Sequence, residues 1–538
     1  MELHNLQAII FHPFSLFFSF LPFSLYKWLL FSLFFSLLFF LCKWLFFSIG
    51  APKKNLPPSP PKLPIIGNLH QLGLNTHRTF HAMAQRYGPL MLLHLGRSPT
   101  LVVSSANTAR EIMKVHDTVF ADRAKLSIMQ RILYNQKNVS ISPYGPYWRQ
   151  MKSICITQLL SSVRVRSFRD IREEETTLLM KKIEEYSYAT FDKTKLKSSY
   201  SQTQHNHILG SMNLSELFTS LSNGVICRVA FGRKYEEQGG RRSRDQVEEM
   251  GALFTTFNMS DFIPWLGWVN YVNGLNRRVE KLFREVDVFL DQIIDDHMVR
   301  GSKEKVDFVD ILLEIQKNSP DCEDFMRREN IKAIILDMFT AGTDTSSAVL
   351  EWAMTELLRH PQAMEKVQEE VRRIDQGKSL VTEDDIQEMH YLKAVIKETM
   401  RLHPPLPLLV PRESIEDVKV QEYDILAKTR VFINAWAIGR DPESWEEAEE
   451  FRPERFLNNL IDFKGHDFQL IPFGAGRRGC PGITFAITII ELVLANILRK
   501  FDWMVPEKLG KEGLDITESS GMSTHRQFPL IVSVRRQW

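Results

Sequence analysis

The chain is short of cysteine, carries almost no net charge and contains no internal repeat. Its five cysteines, Cys42, Cys155, Cys227, Cys322 and Cys480, are odd in number and far apart in 538 residues. They make no CxxC pair and no CxxCH sequence, which argues against a disulfide framework, a zinc module and a covalent cofactor attachment. A lone cysteine is usually a small buried hydrophobe, and only Cys480 has neighbours that argue otherwise. Lys and Arg number 67 against 65 Asp and Glu, a formal charge of +2, so nothing global points to nucleic acid and none is expected as a partner. At about 150 residues per domain the length allows several domains. Composition breaks only near the start, so residues 68–538 read as one domain.

What the beginning has in excess is Phe and Leu. From Ile9 to Ile49 Lys27 and Lys43 are the only cations. The stretch Trp28 to Gly50 supplies the roughly 20 apolar residues of a bilayer-spanning helix, with Lys43 reaching toward headgroups. No small-residue cleavage site interrupts it, so residues 1–50 are expected to be an uncleaved single-pass anchor spanning about 28–49. Lys53, Lys54 and Lys62 follow and leave the bulk of the chain cytosolic. The sequons at Asn138, Asn213 and Asn258 should then stay unmodified. Ile9 to Tyr26, broken by Pro13 and Pro22, is either a second span or an interfacial piece. Residues 51–67, rich in proline from Leu56 to Pro64, form a stiff extended hinge.

Beyond the hinge the apolar spacing is mostly helical, as in Val247 to Phe257, Arg277 to Arg300, Asn330 to Arg359 and Pro361 to Arg373. Leu90 to Leu95 and Thr100 to Val103 read as strands. The fold class is mainly α with a small β portion, and Tyr186 to Ser211, polar and without periodicity, reads as a loop or disordered insertion.

Near the C-terminus stands Pro472-Phe-Gly-Ala-Gly-Arg-Arg-Gly-Cys480-Pro-Gly482, followed by an apolar helix from Ile483 to Leu498. Glycines allow tight turns and close approach to a flat ligand. A helix N-terminus and Arg478 would favour a thiolate, the metal-binding form. Gly474 to Gly479 also fits GxGxxG, a phosphate cradle, although no βαβ unit surrounds it. Elsewhere Glu398 and Arg401 lie three apart on a helical pattern, worth about 0.2–0.5 kcal/mol as an exposed pair. Ala341-Gly-Thr-Asp-Thr-Ser346 sits midway along a helical pattern. Glycine there costs about 1 kcal/mol against alanine, so either a helix opening or a packing notch is expected.

Phe473, Gly476, Arg478, Cys480 and Gly482 match Phe-x-x-Gly-x-Arg-x-Cys-x-Gly, the heme-binding signature of cytochromes P450. The chain resembles the plant A-type members of that family, with matching blocks in order from the proline hinge to the C-terminus. The resemblance implies the cytochrome P450 fold behind a transmembrane anchor, heme b as cofactor, and Cys480 as axial ligand of the iron, pushing electron density onto it. It further implies that Arg478, Trp148, Lys152 and Arg412 hold heme propionates, with Lys152 a point charge where relatives often have a guanidinium fork. It makes Glu398, Arg401 and Arg455, the last from Pro453-Glu-Arg-Phe456, a structural triad. Asp344 and Thr345 correspond to the acid-alcohol pair that passes protons to bound dioxygen. Phe120 to Ala124 also matches a family block, with Ala124 where relatives usually have proline, a departure to which no function is attached.

By position in the family, the substrate pocket comprises the loop Ala121 to Pro143, Met338, Phe339, Ala341, Gly342, Leu406, Leu408, Val410, Gly521 and Met522. It is mainly apolar, implying a small hydrophobic substrate. Electrons should come from NADPH through a separate membrane-bound cytochrome P450 reductase, with Arg164, Arg166 and Arg169 a candidate docking face. The expected place is the endoplasmic reticulum membrane, with Asp261 to Trp268 dipping into lipid beside a substrate entrance. Terpenoid substrates are preferred to phenylpropanoid-coumarin or indole-derived ones. Two other readings stay open: an aldoxime dehydratase or isomerase without net oxygenation, and a non-catalytic membrane heme protein.

Overall fold

Apolar spacing of 3.6 and of two residues divides the chain, and the computed structural model describes residues 28, 30–32, 34–36, 38–39, 54–191, 211–234, 243–300, 306–318, 325–373, 377–506, 514–519, 521 and 523–536. Those between 28 and 39 are helical and exposed, and belong to a unit, Met1–Asn55, distinct from the unit Leu56–Trp538. No described helix is long and apolar enough to cross a membrane. The rest of the expected anchor and the run 9–26 lie outside the described residues.

The larger unit contains helices α1 (Thr76–Tyr87), α2 (Pro146–Ile154), α3 (Arg169–Phe191), α4 (Leu214–Phe231), α5 (Ser243–Thr255), α6 (Leu275–Arg300), α7 (Phe308–Asn318), α8 (Arg328–Arg359), α9 (Pro361–Arg372), α10 (His390–Leu402) and α11 (Ile483–Lys500). Local chemistry sets their ends. Pro146, with no N–H to lose, opens α2; the Asn213 side chain caps α4 by accepting from the Glu216 N–H, and Gly232 closes it at φ 71°. α3 runs to Phe191, so Tyr186 to Phe191 are helical rather than loop: Leu179, Met180 and Ile183 are buried and carry the helical face that far. Of the expected insertion, 192–210 lie outside the described residues, and Ser211 already belongs to a strand.

Strands β1 (Leu90–Leu95), β2 (Ser98–Val103), β7 (Arg430–Ile433) and β4 (Arg412–Glu413) form one sheet in that order. β1 and β2 are antiparallel with Leu92 opposite Leu101, β2 and β7 parallel with Thr100 opposite Arg430, and β4 antiparallel to β7 with Arg412 opposite Val431. β3 (Ser211–Asn213), β9 (Ile531–Arg536) and β8 (Phe501–Met504) form a second, β5 (Val418–Val420) and β6 (Tyr423–Ile425) a third. The proline-rich segment is laid along the first sheet: Leu92 N–H donates to Pro58 O at 2.9 Å, and Asn68 Nδ2 to Pro61 O at 3.2 Å. From Leu56 onward it is part of the body.

α8 is the axis of the core. Ile331 to Asp337 and Ser346 to Leu357 are buried almost without interruption, and the helix packs on α4, α9, α10 and α11. Burial of each large apolar side chain contributes about 1.5–3 kcal/mol, and Trp352 and Phe339 are among the largest fully buried here. Gly342 settles one alternative for the small-residue segment: a Cβ there would stand 2.9 Å from Ile226 Cδ1 on α4, so this glycine is a packing notch.

Glu398, Arg401 and Arg455 meet. Arg401 donates Nε to Glu398 Oε2 at 2.7 Å and Nη2 to Oε1 at 2.8 Å; Arg455 Nε reaches Oε1 at 3.0 Å, as does the Arg452 N–H at 2.7 Å. Arg401 Nη1 also donates to Gly439 O and Ala448 O, both at 2.6 Å, tying α10 to the segment before the cysteine loop. Glu398 and Arg401 are 0% and 1% exposed, so the surface-pair estimate does not apply. Removing one partner strands a buried charge, which costs about 3–5 kcal/mol. Arg401→Met should therefore lower the yield and thermal midpoint of folded protein, and Glu398→Gln added to it should restore part of the loss. Equal midpoints for wild type and Arg401→Met would show the pair to be dispensable.

Candidate active site

The cysteine loop is held by its own backbone. Cys480 N–H donates to Phe473 O at 2.9 Å and Gly479 N–H to Gly476 O at 3.0 Å, while the Phe473 ring packs edge-on against Phe463, centroids 5.5 Å apart. Gly476, at φ 67°, is required: a Cβ would lie 2.2 Å from Met113 O. Gly482, the residue before α11, donates its N–H to Cys480 Sγ at 3.3 Å. Burial pushes the thiol pKa up, while that amide and Lys152 pull it down. Arg478 does not serve the sulfur as expected, because its guanidinium points away into the 121–142 loop. Lys152 is the cation that acts on it.

Four cations converge beside the loop. Arg478 donates to Ala121 O at 2.7 Å, Ser142 O at 2.5 Å and Val139 O at 3.3 Å, with its guanidinium 4.2 Å from the Trp148 ring centroid. Trp148, on α2, is buried and gives its indole N–H to Val139 O at 3.0 Å. Lys152, one turn on, donates to Gly479 O at 2.6 Å and Arg477 O at 3.0 Å. Arg412, placed by β4, donates to Ala475 O at 2.7 Å and Asp117 at 3.2 Å. Arg123 donates to Ser140 O at 3.0 Å, Pro411 O at 2.7 Å and Val410 O.

Backbone carbonyls satisfy these donors but leave the charge unbalanced. Asp117 pairs with Arg412 and Arg477, and among the described residues Arg123, Arg478 and Lys152 have no carboxylate within ion-pair distance; Asp122 and Asp337 act on Arg123, and Asp122 and Asp117 on Arg478, from further away. Burial, then mutual repulsion, therefore lowers Arg123 well below its ordinary value and pushes Arg478 down to about 9. Lys152 falls to about 8, chiefly by burial. One soft sulfur ligand beside a buried excess of cations fits a metal macrocycle that carries carboxylates.

α8 passes through 341–346 as a continuous helix, with no opening in its backbone. Thr345 Oγ1 donates to Ala341 O at 2.8 Å. Asp344 Oδ1 lies 3.0 Å from His525 Nε2, and His525 Nδ1 lies 3.2 Å from Glu351 Oε2. Burial would raise the Asp344 pKa, but His525 outweighs it and holds the carboxyl below the usual range.

The expected pocket residues divide. Ala341 is exposed, and Met338, Leu406, Leu408 and Val410 are half-buried. Phe339 is not a lining residue: it is 2% exposed, its ring centroid 5.5 Å from that of Phe231 in the core between α8 and α4. Leu408 packs with the cluster of Phe80, Met91 and Leu93 under the first sheet. Gly521 is exposed, and Met522 lies outside the described residues.

Sequence reasoning missed four residues. Arg123 stood in the matched block Phe120 to Ala124 without a role. Asp117 bridges Arg412 and the Arg477 N–H, the latter at 2.9 Å. Asp337, buried on α8, accepts from Asn138 Nδ2 and the Val139 N–H, both at 2.7 Å, and from the Ser140 N–H at 2.8 Å, pinning the loop that feeds Trp148 and Arg478. That burial also closes the Asn138 sequon, at 0% exposure, to modification. His525 carried no local signal. Arg123→Met should lower the heme-to-protein ratio of purified protein more than Arg123→Lys, which keeps the charge and loses the fork. Equal ratios in both variants would remove Arg123 from the cofactor cradle.

Comparison with known proteins follows the same lines. A cytochrome P450 family model matches residues 57–528. Cytochrome P450 736A117 of Prunus mume is 52% identical over 487 residues, covering 89% of this chain and 90% of its own. Cytochrome P450 71A25 of Arabidopsis thaliana is 49% identical over 505 residues, 93% and 97% of the two chains, and norfluorocurarine oxidase of a Strychnos species 46% over 520 residues, 94% and 98%. A zebra fish cytochrome P450 solved with abiraterone shares the fold, with TM-score 0.70 at 24% identity over 86% of this chain and all of its own. With a family match of this extent, the chain belongs to the cytochrome P450 family of heme-thiolate monooxygenases, which use heme b and take their electrons from a redox-partner reductase.

Proposed function

We propose that this chain inserts one oxygen atom of dioxygen into a small hydrophobic plant metabolite, with Cys480 as the iron's axial ligand and electrons from NADPH through a separate membrane-bound reductase. One substrate, one dioxygen, one NADPH and one proton give hydroxylated product, water and NADP. When bound, the heme supplies the dioxygen activation. The observation that carries the reading is the sulfur of Cys480, hydrogen-bonded by the Gly482 N–H, beside four cations of which, among the described residues, only Arg412 has a carboxylate within ion-pair distance.

The residues divide the work. Arg478, Arg123, Arg412 and Lys152, with Trp148 among them, would hold the two propionates, whose negative charge would answer the imbalance. Gly476 and Gly482 shape the loop around the sulfur, and the Phe473 ring closes it against Phe463. Thr345 already donates its hydroxyl proton to Ala341 O, so its oxygen is free to accept; to pass a proton on, the hydroxyl turns from that carbonyl. Asp344 is the acid that feeds it. Met338, Ala341, Leu406 and Val410 exclude water from the substrate and favour apolar ligands.

Residues 28–49 are read as the anchor in the endoplasmic reticulum membrane, 51–67 as the connection and 68–538 as the cytosolic catalytic domain. Trp265 and Trp268, 59% and 60% exposed, with Tyr271 and Val272 beyond them, form an apolar prominence suited to a lipid interface. Peptides covering 261–272 should exchange deuterium more slowly in bilayers than in detergent-free solution of the anchor-deleted chain; identical exchange would remove the membrane contact.

The substrate test uses microsomes containing this protein and a plant reductase, with a panel of terpenoid, phenylpropanoid-coumarin and indole-derived metabolites analysed by mass spectrometry. The expected outcome is an NADPH-dependent gain of one oxygen that disappears in Cys480→Ala. Loss of water, or rearrangement without NADPH, would establish dehydratase or isomerase chemistry and release Asp344 and Thr345 from proton delivery.

A further inference from the structure

His525 stands between two carboxylates of α8, Asp344 at 3.0 Å from Nε2 and Glu351 at 3.2 Å from Nδ1. An ionised carboxylate only accepts, and a neutral imidazole has one N–H. Two carboxylates facing both ring nitrogens therefore require both to be protonated. The ring is held there by its neighbours: Trp352 Nε1 donates to Thr524 O at 2.7 Å, Thr524 N–H to Pro405 O at 2.8 Å and Arg526 N–H to Glu351 Oε2 at 3.3 Å. The far oxygen of Glu351 accepts from the Ser215 hydroxyl. The charged groups around the imidazole are Asp344 and Glu351 from α8 and Arg526 from its own segment; α4 contributes the neutral Ser215.

We propose that His525 is a positioning residue for the oxidation: clamped between Asp344 and Glu351, it fixes the orientation of the Asp344 carboxylate on α8. This rests on Asp344 and Thr345 being the proton route proposed above. The ring keeps both of its protons, one toward each carboxylate, and the proton that Asp344 passes on comes from water, which reaches its side chain at 36% exposure. Glu351 anchors the ring and the ring anchors Asp344, so the carboxylate next in sequence to Thr345 is held in one orientation.

The arrangement sets a pH window. Burial would lower the His525 pKa, but the two carboxylates push it up to about 10. A group whose pKa is raised on folding contributes its full stability below the unfolded value of 6.5 and loses it as pH rises through the folded one.

The test compares wild type, His525→Gln, His525→Ala and Asp344→Asn as full-length holoenzymes with reductase, measuring product and hydrogen peroxide per NADPH consumed. In His525→Gln, product per NADPH should fall about tenfold, with peroxide replacing it and KM kept within about twofold, less than the roughly 10²–10⁴ expected for loss of a proton donor itself. Normal coupling in His525→Gln with uncoupling in Asp344→Asn overturns the role of His525 and leaves the Asp344 route standing. Normal coupling in Asp344→Asn overturns that route and His525 with it. A second measurement needs no turnover: the thermal-midpoint advantage of wild type over His525→Gln should shrink between pH 6.5 and pH 10. A constant difference would show that the ring does not carry both protons.

Discussion

Buried positive charge without enough negative charge is the constraint around which this site is built. Arg123, Arg412, Arg478 and Lys152 come from four segments that are distant in sequence, and each is brought to the cysteine loop by a different element: the 121–142 loop, β4, the loop itself and α2. Carbonyl oxygens of Ala121, Val139, Ser140, Ser142, Pro411, Ala475 and Gly479 take their hydrogens. A carbonyl satisfies a donor without cancelling its charge. The protein thus pre-orients the cations around the cysteine loop, an arrangement suited to a dianionic macrocycle with its acid groups enclosed.

The Glu398 cluster differs in that its carboxylate lies inside it. Glu398 receives Arg401, Arg455 and a backbone N–H, and Arg401 spends its remaining donors on carbonyls. One carboxylate shared by two guanidiniums still leaves a positive excess, but both guanidiniums touch it, whereas Arg123, Arg478 and Lys152 meet carbonyls. Direct contact with a carboxylate, rather than arginine content, tells the two groups apart.

That distinction explains what was legible in the sequence. Short-range features were: β1 runs over Leu90–Leu95 as its alternation indicates, α11 begins at Ile483 behind the glycines, and Arg401 follows Glu398 at helical spacing. A motif that is contiguous in sequence keeps its meaning in three dimensions. Asp117, Asp337 and His525 were not legible, because each acts on a residue far away in the chain and nothing local marks it. Phe339 was misplaced for a related reason. It lies on the helix that carries Asp344, but a helix has several faces, and its own meets Phe231 of α4.

The faces of α8 also explain why its acid is placed so firmly. Asp337, Asp344 and Glu351 recur at intervals of seven residues, two turns of helix, so they lie along nearly one side with a small drift per step. Each is a docking point for a different part of the chain: the 138–140 loop at Asp337, His525 at Asp344, and His525, Ser215 and the Arg526 N–H at Glu351. A carboxylate that merely capped a neighbour would be free to turn. Asp344 stands between two fixed points on the same row, and the ring that bridges it to the next one cannot rotate without abandoning an acceptor. The acid's orientation is thereby inherited from the packing of the C-terminal segment against the central helix, which makes that segment part of the site although it holds no recognisable motif.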